Sequence, residues 1–372
     1  MQAPVRLLLA LRPTVSTALL IATATSTIVF LTSPFLIPAV ADDQGVSLGA
    51  AGWISTTQLA GFVIASWVGG RFLRPIRSLF IAGVLLAVVA NLMSAFAPNF
   101  AVLAATRFLS GIWLGLAAWF AWQEAFGDSG KTGDVAVIAP LVSVFVAPGI
   151  SALIQWAGIS WVFVLLAGIS ALPLLWAYQI PKVPPLRPHH TRHSATRAAR
   201  AILLALGMIT LGGSSVFVYG AAIGTELNGL TPFAVSLIYS ANAVASIPAA
   251  KWFGPRGPAG MWFFGSAVCA FLIPSARNDL VFAAALIMWG FIFFMGVPAA
   301  FGLLAARSNF PEERAGDAQA IMALGRVGGP LMGGAFIEAG STTGLGLAAA
   351  SCLFIGASTL LYAGRNRFVV RT

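Results

Sequence analysis

The chain has very little charge. Only 9% of its 372 residues are Asp, Glu, Lys or Arg, whereas a soluble globular protein carries about 25%. Because so few charges cannot cover a water-exposed surface, the composition excludes a cytosolic enzyme. Hydrophobic residues make up 59%, which excludes a disordered regulator. The two cysteines, Cys269 and Cys352, lie in apolar runs and are too few for a disulfide-stapled secreted domain.

What the chain has instead is a series of twelve apolar runs. Each is long enough to cross a bilayer as a helix, and none shows the alternation of a barrel strand. The predicted fold class is therefore an all-α polytopic membrane protein with twelve transmembrane helices. The first run is longer than the core of a signal peptide, so we expect it to be retained. The runs fall at about residues 14–40, 49–70, 78–97, 101–123, 134–156, 160–180, 201–223, 232–253, 258–275, 279–305, 316–338 and 343–364.

The basic residues predict the orientation. With the N-terminus placed inside, all but three of the 21 Lys and Arg residues fall on the cytoplasmic side. The exceptions are Arg277, in an outer loop, and Arg107 and Arg326, inside apolar runs. This bias predicts a multi-pass protein of the cytoplasmic membrane with both termini in the cytoplasm. It also accounts for the net charge of +10 without a nucleic-acid partner.

The stretch Pro181–Arg200 reads as a basic, proline-rich cytoplasmic linker. It separates a predicted six-helix bundle at 1–180 from a second at 201–372. A shift of 182 residues lays Pro148 on Pro330 and aligns the Ala-Gly pair that follows each of them, so the two bundles form a parallel repeat. The histidines of the linker have no further ligand nearby, and we expect neither a metal site nor a cofactor.

Three local patterns resemble the major facilitator superfamily, and the likeness covers essentially the whole chain. They are Gly69-Gly70-Arg71-Phe72-Leu73-Arg74-Pro75-Ile76-Arg77 between helices 2 and 3, Arg107-Phe108-Leu109-Ser110-Gly111 in helix 4, and Pro148-Gly149 in helix 5. Short loops and the helix 5 pattern lean toward the bacterial drug-efflux and sugar-efflux branches. The chain departs from the family in two respects. No acidic residue lies between Asp43 and Glu124, so the usual loop aspartate is missing. In helix 5, Ala147 and Ile150-Ser151 stand where the family's motif usually has glycines.

The resemblance implies a secondary transporter that works by alternating access. It assigns a gating loop to Gly70, Arg71, Arg74 and Arg77. It also implies that helices 5 and 11 bend and slide during transport, which makes Pro148, Gly149, Pro330 and Gly333 candidate gating residues; close packing of helices is the alternative reading for the glycines.

Polar residues inside the membrane are the candidates for a solute site. A charge at the bilayer centre costs at least about 2.5–3.5 kcal/mol, so Arg107 and Arg326 are either contacts of the central path or structural. For Arg107 the structural alternative is snorkelling to the headgroups, and for Arg326 it is a bond to helix-end carbonyls. We expect an apolar, aromatic cavity with few polar groups, suited to a small amphipathic compound. Its other predicted lining residues are Thr27, Gln58, Tyr219, Tyr239, Asn242 and Trp289.

No carboxylate lies well inside an apolar run, so Glu124 and Asp134, at helix ends, are the candidate coupling residues. The expected function is proton-coupled efflux of a small organic solute by a monomer in the lipid bilayer, without enzymatic activity. One alternative is an uptake or facilitated carrier for a small organic anion, attracted by the two buried arginines. Another is a membrane sensor that keeps the transporter fold without transporting.

Overall fold

The computed structural model describes residues 15–125, 129–182, 193–250, 252 and 254–365; of 129–134, 136, 137, 312 and 315 it describes the main chain only. The described part is helical and contains no strand. The helices of the first half are Thr17–Leu31, Ser33–Gln44, Leu48–Ala51, Trp53–Phe72, Arg77–Ala95, Phe100–Ala125, Ser129–Ala157 and Ile159–Ala171, followed by a 3-10 helix at Leu172–Gln179. Those of the second half are Arg197–Phe217, Gly220–Glu226, Pro232–Ala250, Ala259–Ser275, Asp279–Ala306, Pro311–Glu338 and Thr342–Gly364.

These helices form twelve membrane spans, as predicted. Over the described residues, ten segments are long and apolar enough to cross a bilayer. The pair Thr17–Leu31 and Ser33–Gln44, bent by 46°, makes the eleventh span. The shorter apolar helix Ala259–Ser275 makes the twelfth. We number them spans 1 to 12 in chain order; span 2 is Leu48–Phe72, span 6 is Ile159–Gln179 and span 7 is Arg197–Glu226.

Several spans begin at a capping side chain, which satisfies main-chain N–H groups that have no partner within the helix. Ser47 Oγ accepts a hydrogen bond from the Ala50 N–H (3.1 Å) at the start of span 2. Thr196 Oγ1 accepts from the Ala199 N–H (3.0 Å) at the start of span 7. Asn278 caps span 10 in the same way.

The two ends of the bundle differ in charge. The basic face is the end that carries Arg71, Arg74, Arg77, Arg256 and Arg307, and the acidic face is the opposite end, with Asp42, Asp43, Glu226, Asp279 and Glu338. Consecutive spans run in opposite directions, so loops of one kind collect at one end. This separation is the structural counterpart of the basic bias in the sequence.

Spans 1–6 and spans 7–12 each pack mainly among themselves. Span 2 packs along span 4 in the first set, and span 7 packs along spans 11 and 12 in the second. The sets meet where span 5 packs on span 8 and span 2 packs on span 11. Gly111 allows the closest approach of spans 2 and 4, because a Cβ there would lie 1.9 Å from the Gln58 carbonyl oxygen.

Two of the prolines inside the described helices free a main-chain carbonyl that another part of the chain binds. Proline has no N–H, so the carbonyl four residues earlier loses its helical partner. In span 5, Pro148 frees the Val144 carbonyl, which accepts a hydrogen bond from Ser240 Oγ of span 8 (2.7 Å). In span 10, Pro298 frees the Phe294 carbonyl, which accepts one from the Arg256 guanidinium (3.0 Å).

The described end of the linker is fixed to the start of the helix that contains span 11. The His193 ring stacks on Phe310 at 3.7 Å between centroids, and its Nδ1 lies 3.0 Å from Glu313 Oε1. The hydrogen bond with His193 lowers the pKa of the Glu313 carboxyl. Arg314 donates to the His193 carbonyl (2.6 Å) and to Asp317. Residues 183–192 of the predicted linker lie outside the described residues.

Candidate functional site

A cavity of about 390 Å³ lies between the two sets of spans. Both halves contribute to its wall, mostly with aromatic and aliphatic side chains. The aromatic residues of the wall are Phe30, Phe35, Phe62, Phe217, Tyr239, Trp289, Phe293 and Phe294. A cavity of this size and character suits a small organic molecule.

Most polar groups of the cavity wall are already satisfied by the main chain. The hydroxyls of Thr23, Ser143, Thr210, Ser214 and Ser246 donate to carbonyls one turn earlier. Tyr239 Oη donates to the Phe217 carbonyl (2.7 Å), and Asn242 Nδ2 donates to the Leu286 carbonyl (2.5 Å). These bonds hold the side chains in place and use the hydroxyl protons, so the hydroxyls can offer a solute acceptors but no donors.

Three lining residues differ, because their polar groups make no hydrogen bond with any described residue. The Ser26 hydroxyl is buried and unpaired. Thr27 and Arg326 line the cavity without a side-chain hydrogen bond or ion pair to the described part of the chain. Ser26 and Thr27 belong to span 1 and Arg326 to span 11, so both halves present groups that a solute could bind.

Arg326 is the one charged residue in the described lining of the cavity. It lies four residues before Pro330, and the repeat places the uncharged Val144 at the matching position of span 5. Its guanidinium offers five donors in a planar fork and stays protonated. The cavity therefore has a single positive charge with a geometry suited to a carboxylate, phosphate or similar anion.

Arg107, the other predicted arginine, lies outside this cavity. It is 1% exposed and connects spans 3, 4 and 6. Its Nη2 donates to Asn91 Oδ1 (2.6 Å) and to Ser94 Oγ (2.8 Å), and its guanidinium lies 4.8 Å from the Phe163 ring centroid. Asn91 in turn donates to Ser170 Oγ of span 6 (3.2 Å). Arg107 thus acts as an internal tie within the first half and does not snorkel.

Tyr219 lies in a seal at the acidic face, also outside the cavity lining. Its hydroxyl donates to the Pro330 carbonyl (3.1 Å) and to the Gly49 carbonyl across the two halves (3.5 Å). Beside it, Ser47 Oγ donates to Glu338 Oε1 (2.6 Å), again between the halves. We call Ser47, Gly49, Tyr219, Gly334 and Glu338 the acidic-face seal.

Three hydrogen bonds join the two halves among pairs of described residues. Two of them lie in the acidic-face seal, and the third, between Ser240 and Val144, lies about half-way across the membrane.

Of the predicted neutral lining, Thr27, Tyr239, Asn242 and Trp289 face the cavity. Gln58 does not: its main chain packs against Gly111 of span 4, and its buried Nε2 has no partner in the described part of the chain. The sequence did not single out four phenylalanines of the wall, namely Phe30, Phe35, Phe62 and Phe217, or the acidic-face seal. Phenylalanine also faces lipid, so its presence in a span does not indicate which side it is on.

Glu124, a predicted coupling residue, binds the start of span 1. Its carboxylate accepts from the Ser16 N–H (2.7 Å) and the Ser16 hydroxyl (2.9 Å). A carboxylate at this end also interacts favourably with the helix dipole. The side chain of Asp134, the other candidate, lies outside the described residues.

The predicted gating residues lie in different surroundings. Pro148 frees the carbonyl that joins span 5 to span 8, whereas Gly149 has open space where a Cβ would be. The Pro330 carbonyl accepts from Tyr219. Gly333 packs tightly, because a Cβ there would lie 2.4 Å from the Ser215 carbonyl oxygen.

The predicted loop between spans 2 and 3 contains one residue with a clear anchoring role. Arg77 Nε donates to the Ile180 carbonyl (3.0 Å), so it holds the end of span 6. Arg71 lies over the Trp67 ring at 4.4 Å from its centroid. Gly70 and Arg74 are exposed at the basic face.

Twelve apolar spans in two sets, with a cavity between them, define a helical membrane protein of the kind that carries a small molecule across a bilayer. The family model of the Major Facilitator Superfamily matches residues 18–334, which is most of the chain. The chain belongs to this superfamily. It is a multi-pass membrane transporter whose partner is a small-molecule solute.

Solved structures share this fold at low sequence identity. A POT family transporter in complex with 5-aminolevulinic acid matches with a TM-score of 0.72 and 11% identity, over 93% of this chain and 94% of that one. The human organic anion transporter MFSD10 matches with a TM-score of 0.66 and 14% identity, over 93% of this chain and 96% of that one. A bacterial homologue of the human lysosomal transporter Spinster, in an inward-facing and occupied conformation, matches with a TM-score of 0.65 and 15% identity, over 96% of this chain and 94% of that one. The search of curated proteins gives no match.

Proposed function

We propose that the protein moves a small organic solute by alternating access, with the central cavity as the solute site. The supporting observation is that both halves line the cavity, while the hydrogen bonds between their described residues lie at the acidic-face seal and half-way across the membrane. In this proposal the basic face is cytoplasmic and the structure represents the inward-open state of a monomer. Opening of the seal would expose the same cavity to the outside.

The solute we propose is a small amphipathic organic anion. Arg326 supplies a charge and a fork of donors, Ser26 and Thr27 add free hydroxyls, and the aromatic wall suits an apolar body. No carboxylate lines the cavity among the described residues, so nothing there competes for the guanidinium. This chemistry favours an anion carrier.

A transport assay with Arg326 variants tests this function. Organic anions, neutral amphipaths and cations are screened in proteoliposomes with pH gradients of both signs. We expect anion transport that Arg326→Ala abolishes and that Arg326→Lys reduces, because lysine keeps the charge but loses the fork. Arg200→Ala, which removes an exposed charge at the basic face, is the matched control. Wild-type transport by the Arg326→Ala variant would refute the site.

Proton-coupled export is a second candidate, and the observation in its favour is the position of Glu124. Its carboxylate binds the start of span 1, and the middle of that span lines the cavity. Protonation would weaken this contact and release the helix end. Replacing Glu124 by Gln and Asp134 by Asn should then flatten the pH dependence of transport while solute binding remains. Unchanged gradient-driven transport in the double variant would exclude these residues as the coupling site.

A further inference from the structure

No described residue forms an ion pair with Arg326. Described carboxylates of the neighbouring spans are engaged elsewhere: Glu124 binds Ser16, Asp317 binds Arg314 and Glu338 binds Ser47. The remaining polar groups of the wall are neutral, and most of them are bonded to carbonyls. The guanidinium stays protonated in a protein, so the positive charge remains.

An uncompensated charge opposes any state in which the cavity is closed at both ends. While one end is open, water can hydrate the guanidinium. Alternating access passes through an occluded state, in which the apolar wall surrounds the charge and water is excluded. The cost of an arginine at the centre of a membrane slows such a step on the order of 100-fold.

We propose that the empty transporter does not switch between its two states, and that one bound monoanion neutralises Arg326 and releases the switch. The protein is then an exchanger of organic monoanions, because each passage in either direction requires an anion in the cavity. This inference rests on the proposed alternating-access function.

The charge balance also selects among solutes. A monoanion brings the net charge of the described cavity wall to zero, whereas a neutral solute leaves one positive charge and a dianion leaves one negative charge. Each uncompensated charge has a desolvation cost in the occluded state. Arg326 therefore determines the charge of the solute as well as binding it.

Switching can be measured without any solute. Two dyes are placed at the acidic face, one in each half, through Asp43→Cys and Ala339→Cys, both exposed positions. Cys269 and Cys352 are replaced by alanine, and single-molecule energy transfer is recorded in nanodiscs. The rate of opening and closing of the acidic face is the quantity compared. We expect rare transitions in the protein with Arg326, and at least tenfold faster transitions in both Arg326→Gln and Arg326→Met.

Two controls separate the charge from other effects of the substitution. Arg326→Lys keeps the charge and should stay slow, and so should Arg200→Ala, which removes a charge away from the cavity. Equal rates for Arg326, Gln and Met at this position would overturn the proposal. Two neutral variants are used so that a folding defect in one of them does not decide the result.

Benzoate serves as the monoanion probe, with terephthalate as the dianion and benzamide as the neutral molecule of similar shape. Millimolar benzoate should accelerate switching of the protein with Arg326 toward the rate of Arg326→Gln, and the other two should not. No acceleration by benzoate, or equal acceleration by all three, contradicts the monoanion assignment. The proposed function fails on different grounds, namely if the transport screen finds no dependence on Arg326.

Discussion

The acidic-face seal depends on a glycine that has no room for a side chain. A Cβ on Gly49 would lie 2.4 Å from Glu338 Cγ and 2.7 Å from the Gly334 carbonyl oxygen, both in span 11 of the other half. The Glu338 side chain could move aside, but the carbonyl belongs to the main chain. Gly49→Ala therefore forces span 2 away from span 11 in the closed state.

The size of the effect follows from this crowding. Inserting a methyl group into a packed contact costs about 1–3 kcal/mol. The cost falls on the closed seal alone, because the neighbours in question belong to the opposite half and move away when the seal opens. The ratio of open to closed acidic face should rise by roughly 5-fold to 150-fold. The gain in helix propensity from glycine to alanine applies to both states and cancels.

The distance between labels at the acidic face, measured by pulsed electron resonance, reports the open fraction. Gly168→Ala is the matched control: Gly168 lies in span 6 of the same half, is exposed, and a Cβ there would have no neighbour within 4 Å. We expect Gly49→Ala to populate a longer distance and Gly168→Ala to resemble the wild type. An unchanged distance distribution in Gly49→Ala would refute the assignment of this contact as a gate.

Three further predictions concern other parts of the molecule. Asn91→Ala removes the shortest hydrogen bond of the buried arginine of span 4 and should lower the free energy of unfolding by about 1–3 kcal/mol; chemical denaturation measures it, and an unchanged midpoint would show that the tie is dispensable. Because the pKa of Glu313 is lowered, its carboxylate contributes to the free energy of unfolding above its ordinary pKa of 4.5, and this contribution is lost as pH falls through the lower pKa of the folded state. Melting curves of the wild type should show this loss at acid pH, and those of Glu313→Gln should not. A cysteine at Ser194 should react with an impermeant thiol reagent from the cytoplasm only and one at Asn228 from outside only; reversed labelling would invert the orientation.

The membrane spans could be predicted from the sequence because each is an apolar run of sufficient length. The break in span 1 is harder to locate, although Pro34 and Pro38 indicate that its outer part is irregular: the helix is interrupted at Thr32, between Leu31 and Ser33. Which face of each span meets lipid cannot be read in this way. Lipid and protein interior are both apolar, so the pattern that distinguishes the two faces of a soluble helix is weak here.

Which of the two intramembrane arginines lines the cavity could not be predicted from the sequence. Both carry the same charge inside apolar runs, and both looked equally suited to a solute path. The structure separates them through neighbours that are distant in sequence: Asn91 and Phe163 surround Arg107, whereas Arg326 has the cavity in front of it. The repeat offers one further signal, because it marks Arg326 as a charge that the matching position Val144 lacks.

The bond between Ser240 and Val144 makes two distant positions depend on each other. Its acceptor is a main-chain oxygen, so the identity of the side chain at Val144 is of little consequence. This oxygen is free to accept because Pro148 has no N–H to bond with it. Any other residue at that position would restore an internal donor and compete with the hydroxyl of span 8. The proline and the serine thus form one connection between the halves, and replacing either of them weakens the same hydrogen bond.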